Sequence, residues 1–166
     1  MVAQQDTPRQ SATEGIRPAR RLVLEVGGAP SAEAAEAVLG AWLARGPGRP
    51  ATVVRVPEGR LAGLVEHLRP RVLRQQPEEA PADFADRLRA ALDQGATLVA
   101  GGRTLVPGEA EPTLLLNLDP AAPALLAEGP AGPVLAVLRA EDGPVPEPDA
   151  AQDVRPLHPD PNPRGN

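Results

Sequence analysis

The sequence predicts an α/β domain with disordered termini, and three observations predict it. Short apolar runs alternate with stretches whose apolar residues recur at helical spacing, which is the pattern of strands and helices stacked in layers. The 166 residues are 42% hydrophobic, close to the globular average, so one domain with a real core is within reach. Both ends are polar and lack apolar periodicity. Residues 1–18 read as a leader, 19–140 as the α/β domain, and 141–166 as a Pro/Asp-rich tail that buries too little to order itself.

The elements follow in order. Leu22 to Val26 reads as a strand closed by Gly27, Gly28 and Pro30. The next stretch, from Ser31 to Gly46, reads as a helix with Ser31 as N-cap and Ala35, Val38, Leu39, Trp42 and Leu43 on one face. Thr52 to Val56 supplies a second strand. A second helix follows, with Leu61, Leu64, Val65 and Leu68 inward, and Pro70 is expected to break or kink it. "PADFADRLRAALDQG" predicts a third helix: Pro81 suits its first turn, Phe84, Leu88, Ala91 and Leu92 align, and Gly95 stops it. Apolar runs at Thr97 to Ala100, Thr113 to Leu118 and Val134 to Leu138 complete the set of strands.

Composition removes whole classes of function. Net charge is −5, and aromatic residues make up 1% of the chain, so neither a basic surface nor stacking platforms exist for nucleic acid. No apolar run approaches the roughly 20 residues that span a bilayer, and no signal-peptide core is visible, so no membrane contact is expected and a cytoplasmic location is the default. All 17 basic residues are arginine, a skew that reads as GC-rich coding bias. Without lysine there is no Schiff base, and with 0 Cys there is no thiol nucleophile and no disulfide. Ser11 and Ser31 are the only serines, and His67 and His158 lack metal-ligand spacing, so neither a Ser-His triad nor a zinc site is expected. Small aliphatic side chains must fill the core, which predicts modest stability. "GPGRPA", Gly46 to Ala51, matches G-x-G-x-x-A, but it follows a helix and precedes a strand. A dinucleotide fingerprint needs the reverse order, because the pyrophosphate sits at the N-terminus of the helix after the glycines. It reads as a connecting loop.

Four segments, taken in order, resemble the aldehyde dehydrogenase superfamily. "RRLVLEVGGAP" is similar to that family's strand with its Glu-Leu-Gly-Gly motif, and "DQGATLVAGGR" to the stretch entering its Gly-Gly turn. "EPTLLLNLDPAA" is similar to its Pro-Thr-hydrophobic strand, and "EGPAGPVLAVLRAEDG" to its Glu-x-Phe-Gly-Pro-Val segment. The resemblance covers Arg20 to Gly143 and corresponds to a middle-to-late portion of a family member. It implies a partial catalytic-domain layer of that fold.

The resemblance also implies where chemistry would sit. In the family a Cys thiolate attacks the aldehyde, hydride leaves to NAD or NADP, and a Glu-activated water hydrolyses the thioester. Glu25 falls on the general-base position. The nucleophilic Cys would fall near Gly46 to Pro50, where this sequence reads "GPGRP". Gly129 stands where the family Glu holds the nicotinamide ribose, with Glu128 one residue early; Ala131 replaces the family Phe, and Ala29 the Lys after the double glycine. The leading expectation is therefore a non-catalytic, truncated relative of an NAD(P)-dependent aldehyde dehydrogenase, a pseudoenzyme with Glu25 idle and no cofactor. Such a protein would serve as an interaction or scaffold module that binds a protein partner or itself. The alternative is one piece of an NAD(P)-dependent aldehyde dehydrogenase completed by a second chain. A decayed gene product is a third reading.

Overall fold

The runs "LVLEV" and "TVVRV" form β1 (Leu22–Val26) and β2 (Thr52–Val56), parallel neighbours in register Val23↔Val53 and Leu24↔Val54. They belong to a computed structural model that describes residues 21–46, 48–119, 131–142 and 153–157. Around them lie α1 (Ser31–Leu43), α2 (Glu58–Leu73), β3 (Glu78–Glu79), α3 (Phe84–Asp93), β4 (Thr97–Ala100), β5 (Thr104–Val106), β6 (Glu109–Ala110), β7 (Thr113–Leu116), β8 (Val134–Arg139) and β9 (Asp153–Leu157). A six-stranded sheet runs β4-β7-β8-β2-β1-β9, parallel throughout except for the antiparallel β4/β7 pair. A small antiparallel sheet, β3-β6-β5, stands apart from it.

Both faces of the large sheet are covered, which is why its strands read as nearly unbroken apolar runs rather than alternating ones. Leu22, Leu24, Val54, Val56, Leu135 and Val137 face α1 and α2, where Val38, Trp42, Leu64 and Leu68 meet them. Val23, Val53, Ala136 and Leu138 point the other way, toward Phe84, Leu88 and Ala91 of α3. The α/β class expected from alternating segments is thus the observed one.

Local physics departs from expectation at several points. Pro30 is the N-cap of α1, with no side-chain cap bond, so Ser31 is the first helical residue rather than the cap. Leu43, expected inward, is 38% exposed, while Ala34 is buried in its stead. Helix α2 continues through Pro70 to Leu73. The proline lies on an exposed face near the C-terminal end, so the one bond its ring removes, to the carbonyl of the exposed Glu66, is lost on the solvent side of the helix. Val72 is buried in α2, and Val65 is only partly so. The β7 ladder ends at Leu116, two residues before the predicted limit, where Asn117 takes a positive φ of 55°.

The tail expectation needs correcting. Asp153–Leu157, inside the segment read as disordered, pairs with β1 in parallel over Leu22↔Asp153 to Val26↔Leu157. A lone Pro/Asp-rich segment lacks apolar area to order itself, but an open sheet edge offers it backbone partners, and Pro156 is tolerated because edge strands need bonds on one side only. The leader, residues 1–18, lies outside the described residues, as does the rest of the tail from residue 143 onward.

The β3-β6-β5 sheet was not expected from the sequence, since strands of two or three residues carry no periodicity. Its turn-in is governed by Gly101: φ is +75°, and a Cβ there would lie 1.9 Å from the Pro112 carbonyl oxygen. Thr113, wholly buried, accepts a bond from the Gly102 N–H at 3.0 Å and donates to the Glu111 carbonyl at 2.9 Å, fixing where the chain re-enters the large sheet.

Phe84 is the one aromatic on the α3 face and is fully buried, with Gly132 packed so tightly that a Cβ there would lie 3.1 Å from its ring and 3.2 Å from Ala80. Phe84→Ala should therefore cost about 3–5 kcal/mol in denaturant unfolding. A loss under about 1 kcal/mol would show that α3 does not anchor this face.

Candidate functional site

Glu25 is the fourth residue of "LVLEV" and Arg55 the fourth of "TVVRV", so the parallel register sets the two side by side. On the α3 face these are the positions where apolar alternation is interrupted. Arg55 Nη1 donates to Glu25 Oε1 at 3.0 Å, and Nη2 donates to the Ala140 carbonyl at 3.0 Å. The Glu25 side chain is 47% exposed and that of Arg55 20%, which places the pair at the rim of the sheet. The neighbouring strand ends are charged as well. Arg139 lies 3.4 Å from Glu58, the Glu58 N–H donates to Glu141 at 3.3 Å, and Arg60 donates to the Ala29 carbonyl.

The carboxyl ends of β1, β2 and β8 thus carry interlocked acids and arginines. Such an arrangement ties the sheet end together, and each acid in it is already engaged. Glu25 is a charge partner of Arg55.

The loop near Gly46 to Pro50, where the family Cys would fall, lies elsewhere. Ala51 precedes the first residue of β2, whereas Glu25 is level with Arg55. A strand rises about 3.3 Å per residue, so roughly 13 Å of β2 separate the two positions. Arg49 dominates the loop: it is 3% exposed, its guanidinium lies 5.2 Å from the Trp42 ring centroid, and it pairs with Glu78 at 2.9 Å. Its carbonyl accepts the Ala131 N–H at 3.0 Å. A buried cation with a carboxylate, a π face and backbone contacts is a packing element.

The cofactor positions can be placed in part. Gly129 and Glu128 lie outside the described residues. Ala131 is fully buried, and Gly132, at φ +80°, sits against Phe84 and Ala80. Neither Ala131 nor Gly132 carries a side-chain group that could bind a ribose hydroxyl. Among the described residues, no group of three or more His, Cys, Asp or Glu could hold a metal, and no helix is long and apolar enough to cross a membrane. His67 lies on α2, where its carbonyl accepts a bond from Arg71 at 2.7 Å; His158 lies outside the described residues.

Sequence reasoning missed Arg55. The signal was present: opposite charges occupy the same position in two five-residue strands joined by one helix, the spacing of a parallel β-α-β unit.

No protein-family model matches the sequence, and no curated protein matches it. Solved structures do. The NADP-dependent glyceraldehyde-3-phosphate dehydrogenase of Bacillus halodurans C-125, complexed with NADP, superposes with a TM-score of 0.60 at 24% identity, over 75% of this chain and 29% of that one. Lactaldehyde dehydrogenase from Escherichia coli matches with a TM-score of 0.59 at 19% identity, over 74% and 30%. A NAD-dependent benzaldehyde dehydrogenase from Corynebacterium glutamicum gives 0.59 at 13% identity over the same shares, 74% and 30%. The chain folds as a piece of an aldehyde dehydrogenase.

It spans about 30% of the length of the aldehyde dehydrogenases it matches. The expectation of a protein outside enzyme chemistry is corrected by these neighbours: they are aldehyde dehydrogenases, and the shared fold gives no ground for setting this chain apart from enzymes.

Glu25→Gln keeps an acceptor for Arg55 and removes only the charge, so it should lower stability by less than about 1 kcal/mol. Arg55→Ala should cost more in the same unfolding experiment, because it also releases the Ala140 carbonyl; equal effects would show that this second bond carries nothing. A separate test concerns Arg103, whose Nη2 and Nε donate to Glu111 at 2.9 and 3.2 Å. Those bonds, with the attraction of the guanidinium, hold the Glu111 carboxyl below the usual range. A carboxyl whose pKa is depressed by folding stabilises the fold above its unfolded pKa, and that contribution is lost as pH falls through the folded value. In an NMR titration Glu111 should therefore titrate low, and Arg103→Gln should return it to the ordinary glutamate range.

Proposed function

We propose that this chain is a catalytic-domain layer of an NAD(P)-dependent aldehyde dehydrogenase whose remaining segments come from further polypeptide. One observation carries the reading: 74% of the chain superposes on aldehyde dehydrogenases while accounting for only 30% of their length. A layer of this kind is structurally ready for completion and chemically insufficient alone.

The division of labour follows from the residues. The sequence contains 0 Cys, so the nucleophile belongs to the completing polypeptide. The dinucleotide, which accepts the hydride when bound, belongs there too, because Ala131 and Gly132 offer it no group. This chain supplies the parallel sheet β8-β2-β1, the helices on its two faces, and the charged rim at its carboxyl end. In that rim Glu25 acts as the counter-ion of Arg55 and takes no part in the chemistry.

The experiment is purification of the tagged chain at its native level, with and without whatever copurifies. NAD(P)-dependent oxidation of aldehydes is expected in the assembly and absent from the chain alone. Neither NAD nor NADP should raise the melting temperature of the isolated chain, since a ligand that binds the native state shifts it by mass action. Glu25→Gln in the assembly should leave turnover unchanged. An assembly without activity would overturn the proposal, and a cofactor-induced shift in the isolated chain would overturn the assignment of cofactor binding to the other polypeptide.

A further inference from the structure

We propose that the groove between the β5–β6 hairpin and the start of α3 is a docking slot for an arginine side chain presented by an extended segment of a partner protein. The slot holds about 340 Å³. Ala80, Pro81 and Ala85 lie on one side, Leu105 and Val106 on the other, and Glu109 also lines it. Small residues leave the space open, and the two large apolar side chains stand 52% and 51% exposed.

Charge identifies the occupant. Glu79 of β3 and Glu109 of β6 are directly opposed in the antiparallel ladder, which brings two carboxylates together on one side of the small sheet. Like charges opposite one another destabilise a ladder. Flanking acids are neutralised: Glu78 meets Arg49, Asp83 meets Arg87 and Glu111 meets Arg103. Among the described residues, Glu79 and Glu109 have no such arginine, and both are exposed. An apolar channel lined by Glu109, with Glu79 opposed to it across the ladder, matches one side chain closely. Arginine carries an apolar stem, which suits Ala80, Ala85 and Leu105, and a planar cation that takes carboxylates two at a time.

The backbone beside the slot is available as well. β5 pairs with β6 on one side, and among the described residues nothing pairs with its other edge, although all three of its residues are exposed. An extended segment laid there gains main-chain bonds while its arginine enters the slot, the strand-addition mode of peptide recognition. A second copy of this chain is a poor occupant, because it would bring the same acids to the same rim.

The test uses a fluorescein-labelled peptide with an Arg-Val-Arg-Val core and a matched Glu-Val-Glu-Val control. The purified chain should bind the first at least tenfold more tightly than the second, and added salt should weaken that binding. Glu109→Gln and Glu79→Gln should each reduce affinity several-fold while leaving the melting temperature unchanged or slightly raised, since each relieves the opposed pair. Leu105→Ser should also weaken binding. NMR shifts on titration should fall on Thr104 to Val106 and on Ala80 to Ala85. Equal binding of the two peptides would overturn the proposal, as would indifference to both glutamate variants. A homodimer in sedimentation that Leu105→Arg dissolves would overturn it in favour of self-association.

Discussion

The rest of the structure depends on the parallel ladder β1-β2-β8, buried on both faces. A parallel strand pair cannot close through a tight hairpin, so each connection must travel across a face, and the helices that make those journeys become the cover. α1 carries the chain from β1 to β2 and packs with α2 on one side. α3 covers the other side, and its Phe84 fills the space left by Gly132 and Ala80. Where the cover ends, at the carboxyl rim, charged residues enter the strands and bind one another. Position in the sheet thus decides which side chains are apolar and which can be charged.

That ordering explains how the chain can hold a recognisable portion of a large enzyme's architecture with so little sequence in common. What a double-covered parallel sheet demands is apolar residues of moderate size in a fixed register, and Val, Leu and Ala in many permutations satisfy it. The 13–24% identities to solved aldehyde dehydrogenases are compatible with the same fold because packing constrains volume and pattern more than identity. Chemistry is less forgiving. A nucleophile or a ribose ligand is one residue at one place, and no permutation of similar side chains replaces it.

Most of the large sheet is legible in the sequence, since its strands are long enough to show their apolar character and its helices show a periodic face. What escaped notice had a physical reason. β3, β5 and β6 are held by partners rather than by their own propensity, and β9 by the open edge of β1. Pro70 breaks a rule for helix interiors but lies on the exposed face of α2, near its end. At the rim, the resemblance pointed to Glu25 as a general-base position, while the register revealed the Arg55 beside it. A single sequence exposes the acid; only pairing exposes its companion.

Arg49 has a practical corollary. The chain contains one Trp, and the buried guanidinium of Arg49 lies against its ring while its carboxylate partner, Glu78, belongs to the small sheet. The light emitted by Trp42 is therefore an internal gauge of whether that small sheet, and the slot it helps to form, is seated on the main domain.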